Sequence, residues 1–144
     1  NNLYVRSFKP SDLLAQSDAV RCWDTVDFNH DEEPASLRQG QIQWRLAEAS
    51  KIYGFALWWH STLVPGVSLG TAPDAPGTHW EQLYFPSLEC IDAPAGARLS
   101  LHIDADSRYE VGSHLRWETQ LHDAQGRLLA SWEQDIDQGT IHLE

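Results

Sequence analysis

Apolar and polar residues alternate one by one along most of this chain, and that alternation restricts it to strands. Ile42, Trp44 and Leu46 interleave with Gln41, Gln43 and Arg45, and Leu99, Leu101 and Ile103 interleave with Ser100, His102 and Asp104. Successive side chains of a strand point to opposite faces, so a period of two gives one apolar and one polar face. Tyr109, Val111, Ser113, Leu115, Trp117, Thr119 and Leu121 line one face of a long strand, with a bend expected at Gly112. Leu128, Ala130 and Trp132 resume the pattern after Asp123-Ala124-Gln125-Gly126, which predicts a hairpin. Further strands are predicted over 19–28, 53–63, 66–71, 79–88 and 140–143.

Turn-forming residues separate these segments at His30 to Pro34, Pro73 to Gly77 and Ala93 to Gly96. Only Ser11 to Gln16, opened by Pro10 and capped by Ser11, reads as a short helical turn. About eight to ten mainly antiparallel strands at this spacing predict an all-β fold, a single barrel or jelly-roll-like sandwich. Residues 1–144 read as one domain without repeat or linker. That length supports a real core but is short for an enzyme needing separate cofactor and substrate domains.

The formal net charge is −11. Nucleic-acid backbones need clustered Lys and Arg, so this chain is not expected to bind them; a cationic partner is compatible, and so is simple solubility. Seven tryptophans predict a Trp-rich core, with some left for a docking surface. Cys22 and Cys90 lack metal or redox spacing and are expected to be free, mostly buried thiols. No apolar stretch reaches the length of a membrane span. The chain starts Asn1-Asn2 and contains no Met, which reads as a processed or excised piece, with a cytoplasmic parent as the expectation.

The segment from Val64 to Thr78 holds Pro65, Gly66, Gly70, Pro73, Pro76 and Gly77, and reads as a long ordered crossover. Such connections present sites more often than they merely join strands. It delivers Thr78, His79 and Trp80. An imidazole used in chemistry needs a partner to set its tautomer, and no acid of this chain is obviously placed for that; Asp74 and Glu81 are only near in sequence.

The run from Thr71 to Gln82, T-A-P-x-x-P-x-T-H-W-x-Q, follows Tyr53-Gly54-Phe55-Ala56-Leu57-Trp58-Trp59. Together they resemble the C-terminal β-barrel of the protein arginine methyltransferases, where this segment is the THW loop. Ser7 to Leu14 resembles that family's re-entry into the barrel after its dimerisation arm, and Leu101 to Leu121, around Asp106 to Val111, resembles its closing hairpin. The resemblance implies that His79 pairs with an Asp of an N-terminal helix and borders the substrate arginine. It further implies that Trp80 walls the arginine pocket and that Thr78 supports the loop. Two departures stand out. His60 follows Trp59 where the family commonly carries an acid, and the chain has no glycine-rich donor loop and no paired glutamates to clamp a guanidinium.

From this likeness several expectations follow. An S-adenosylmethionine-binding Rossmann-like domain and a dimerisation arm would belong to a parent protein. The present chain would dock on that domain, bind no cofactor or metal itself, and be inactive and mainly monomeric alone. The parent would be a homodimer acting on an Arg-containing protein or peptide.

Two other readings compete. His102-Ile103-Asp104 with a distant His142 mimics the ligand set of a non-haem iron centre. A carbohydrate- or peptide-binding sandwich could use Trp58, Trp59 or Trp80 as a stacking platform. No G-x-S-x-G elbow supports a serine hydrolase, and His30, His60, His114 and His122 are scattered.

Overall fold

In the computed structural model, which describes residues 3–14, 19–30, 36–108 and 113–138, the alternating segments form antiparallel sheets. Nine strands are seen among the described residues: β1 (Tyr4–Arg6), β2 (Leu37–Arg45), β3 (Ser50–Leu57), β4 (His60–Val64), β5 (Val67–Gly70), β6 (Gln82–Ala93), β7 (Arg98–Asp106), β8 (His114–His122) and β9 (Leu128–Asp135). One sheet has the order β1-β6-β3, a second the order β2-β7-β8-β9, and β4-β5 is a separate hairpin. The all-β expectation holds, as a sandwich of two sheets.

The apolar faces meet between the sheets. Leu99, Leu101 and Ile103 of β7 and Trp117, Thr119 and Leu121 of β8 are buried, as are Phe85, Ile91 and Ala93 of β6. Phe85 stacks on Trp117 at 4.5 Å, joining β6 to β8, and Trp44 stacks on Phe55 at 5.6 Å, joining β2 to β3. Each large aliphatic or aromatic side chain buried this way contributes about 1.5–3 kcal/mol. The buried Gln134 satisfies both layers: its Oε1 accepts from Trp117 Nε1 at 3.1 Å, and its Nε2 donates to the Pro86 carbonyl at 2.8 Å.

The β8–β9 hairpin forms where expected. Asp123 Oδ1 accepts from the amides of Gln125 and Arg127, and Gly126 takes the positive φ of 86° that closes the turn.

Other expectations are corrected. The segment 19–28 is not a strand but an irregular cover along β2, held by side chains rather than a ladder. Trp44 Nε1 donates to the Ala19 carbonyl at 2.6 Å, Arg21 Nε donates to the Gln43 carbonyl at 3.1 Å, and Arg38 grips Asp24 with two guanidinium nitrogens. The single strand expected over 53–63 breaks at Trp58 and Trp59 into β3 and β4. The strand expected over 79–88 begins only at Gln82 and runs on to Ala93. It bulges after Pro86, which has no amide to give the ladder. The helical turn is a 3-10 turn over Pro10–Asp12, and Ser11 does not cap it; Asp12 Oδ2 accepts from the Lys9 amide at 2.8 Å.

Of the seven tryptophans Trp117 alone is fully buried, because the core is two layers thin and its walls are filled largely by aliphatic residues. Cys22 and Cys90 are free as expected but exposed rather than buried, Cys90 lying in the bulged part of β6. The expected strand at 140–143, Gln16, and the Tyr109, Val111 and Gly112 part of the long strand lie outside the described residues.

Candidate functional site

The crossover is shorter than its composition suggests, because its first part is structured. β4 and β5 pair around Pro65-Gly66, with Gly66 at φ 83° as a type II turn requires. The irregular part runs from Thr71 to Glu81. A turn at Ala72 to Ala75 follows, the Ala75 amide donating to the Ala72 carbonyl at 2.9 Å, with Pro73 at the position where its restricted φ is preferred.

Thr78, His79 and Trp80 lie together at the end of this segment. The Thr78 hydroxyl accepts from the Trp80 amide at 3.2 Å and donates to the Trp80 carbonyl at 3.1 Å, so one side chain brackets the backbone of the triplet. This is the local hydrogen-bonding habit of Thr in turns. The His79 ring lies 4.1 Å from the Trp80 ring, tilted by 35°. Trp59, in the link between β3 and β4, meets Trp80 edge-on at 5.7 Å. Trp80 is 47% exposed and His79 is exposed, so both rings are available at the surface. Among the described residues the His79 imidazole has no hydrogen-bond partner, and Glu81 turns away from it to accept from Ser7 Oγ at 2.8 Å.

The base of the segment is buried and polar. Gln82 Nε2 donates to the Thr71 carbonyl at 2.6 Å, and its Oε1 accepts from the Phe8 amide at 2.8 Å. Thr71 in turn donates its amide to the Trp59 carbonyl at 3.0 Å. Gly70 permits that approach, since a Cβ there would sit 3.1 Å from the Trp59 carbonyl oxygen. Thr71 and Gln82 carry no role in a reading of the sequence, and Trp59 carries one only as a member of a stacking platform. Their signal was present only as the first and last letters of the run and as a doubled tryptophan.

A cavity of about 510 Å³ lies elsewhere. It opens between the two sheets beside Trp23, Trp44, Phe55 and Trp58, and Thr78, His79 and Trp80 are not among its walls. Tyr84 borders it, donating its hydroxyl to the Tyr53 carbonyl at 2.8 Å; burial pushes its phenol up from the ordinary value.

His102 and Asp104 do share the polar face of β7, with Nε2 and Oδ1 3.2 Å apart, but His142 lies outside the described residues. Among the described residues one His/Asp cluster is close enough to share an ion, His114 with Asp135 and Asp137. There the carboxylates sit at opposite ring nitrogens, Asp137 at Nδ1 and Asp135 at Nε2, which is the geometry of a bridging imidazole rather than of converging ligands.

Trp59 and Trp80 meet at 68°, so their ring faces are not coplanar, and Trp58 is half-buried beside the cavity. No helix among the described residues is long and apolar enough to cross a membrane. No protein-family model matches the chain, and no curated protein matches it significantly.

Proposed function

We propose that this domain is the substrate-side wall of an S-adenosylmethionine-dependent protein arginine methyltransferase-like protein. The observation that carries the reading is the exposed His79–Trp80 pair, presented by a loop whose backbone Thr78 holds in place. An imidazole with open nitrogens beside an indole face suits a cationic, planar group: the ring face attracts a guanidinium, and the imidazole can take a carboxylate partner from another domain. Methyl transfer from a sulfonium to a guanidinium nitrogen depends on holding donor and acceptor in line, and a rigid wall opposite the donor serves that purpose.

In this reading the chain supplies one side of the pocket and docks on a donor-binding domain, which would bring S-adenosylmethionine and the carboxylates that orient the arginine. The net charge of −11 would draw basic substrate segments to it, an attraction that salt screens. Alone, the domain is mainly monomeric and transfers no methyl group, while a parent carrying the arm dimerises.

The test is His79→Ala in an intact polypeptide that includes the donor-binding domain, assayed for methyl transfer to an arginine peptide. Turnover is expected to fall by about 100-fold, with the unfolding midpoint unchanged because the ring is exposed. Undiminished turnover overturns the assignment.

A further inference from the structure

The most tightly knit polar contacts near His79 and Trp80 lie beneath the loop, around a residue that touches neither ring. Gln82 is 8% exposed at the start of β6, and both ends of its amide are used. Its Nε2 reaches Thr71, eleven residues back, at 2.6 Å, tying the first residue of β6 to the first residue of the irregular segment. Its Oε1 holds the Phe8 amide at 2.8 Å, beside the Ser7–Glu81 hydrogen bond and the β1–β6 pairing at Arg6↔Gln82.

We infer that Gln82 is the positioning residue of this site, setting the pose of Trp80 through the clamped Thr71 and Trp59. The route is short. Thr71 is bound to Trp59 on both sides, its amide to the Trp59 carbonyl at 3.0 Å and its Oγ1 to the Trp59 amide at 3.4 Å. The Trp59 indole then meets the Trp80 indole edge-on. Trp80 also lies just before the clamped strand, two residues upstream of Gln82. Only a side chain with a donor and an acceptor can hold both sides of the clasp, because the buried Thr71 carbonyl or the part-buried Phe8 amide loses this partner otherwise. The geometry stands alone, but calling its product a substrate wall rests on the methyltransferase-like reading.

The chain carries seven tryptophans, so biosynthetic 5-fluorotryptophan gives seven fluorine resonances, assignable by single Trp→Phe changes. Gln82→Ala is expected to shift the Trp80 and Trp59 signals and to raise the acrylamide accessibility of Trp80, while the Trp117 signal stays in place. Gln82→Glu supplies the second measurement. As a carboxylate it faces the Thr71 carbonyl with no donor, so the Trp80 signal shifts at about pH 8; protonated, it donates again, so the wild-type signal returns by about pH 5. Unmoved Trp80 and Trp59 signals in Gln82→Ala, a Trp117 signal that moves with them, or no recovery of Gln82→Glu in acid each overturn the inference. The His79→Ala turnover assay in the intact polypeptide reads the substrate claim separately. Undiminished turnover there with a shifted Trp80 in Gln82→Ala leaves the clasp intact and removes the function above.

Discussion

Trp59 and Trp80 meet edge to face, 5.7 Å between centroids at 68°, although twenty residues, a whole hairpin among them, separate the two. Such aromatic pairs add about 0.5–1.5 kcal/mol beyond their buried area. Trp59→Ala is therefore expected to lower stability by about 1 kcal/mol in urea unfolding and to increase quenching of Trp80 by acrylamide. Quenching that stays at the wild-type level means the pair does not hold Trp80.

Thr78 brackets Trp80 with one hydroxyl. Thr78→Val keeps the shape and removes both hydrogen bonds, each worth about 1 kcal/mol at most at so open a position. Amide exchange at Trp80 should quicken several-fold, and Thr78→Ser should restore slow exchange. Equal rates in all three proteins would show the bracket to be incidental.

Gly40 lies under the segment that covers β2, and a Cβ built there falls 2.2 Å from the Trp23 carbonyl oxygen. Gly40→Ala must displace that segment, with an expected loss of about 1–3 kcal/mol. Gly77 has open space around it. Gly77→Ala should stay within about 0.5 kcal/mol of wild type. The two unfolding midpoints, measured side by side, decide whether the cover is packed as tightly as the backbone contact implies.

The hydrogen bonds of Arg38 hold the Asp24 carboxyl below its ordinary value of 3.8. A folded-state value below the unfolded one stabilises the fold above about pH 3.8, and that contribution disappears as pH falls through the depressed folded value. Arg38→Leu should lose about 1–2 kcal/mol near neutrality, modest because both partners are about one-fifth exposed. The gap between wild type and variant should close below pH 3.8. A gap of constant size across an acid titration would assign the loss to packing instead.

Alternation alone settled that the chain is built of strands, because a period of two has one physical solution that buries an apolar face. Leu99, Leu101, Ile103, Trp117 and Leu121 are buried as that pattern requires. The Asp123–Gly126 turn was equally legible, since its chemistry is local. The stretch 19–28 was misread because its apolar residues serve as a cover rather than a ladder, and the difference lies in what Trp44, Arg21 and Arg38 bond to across the fold. His79 and Trp80 could be singled out from their setting, but not the company they keep. Trp59 and Gln82 reach the site through contacts between β-elements distant in sequence, and only tertiary structure decides such contacts: no periodicity records which strand end a loop will fold against.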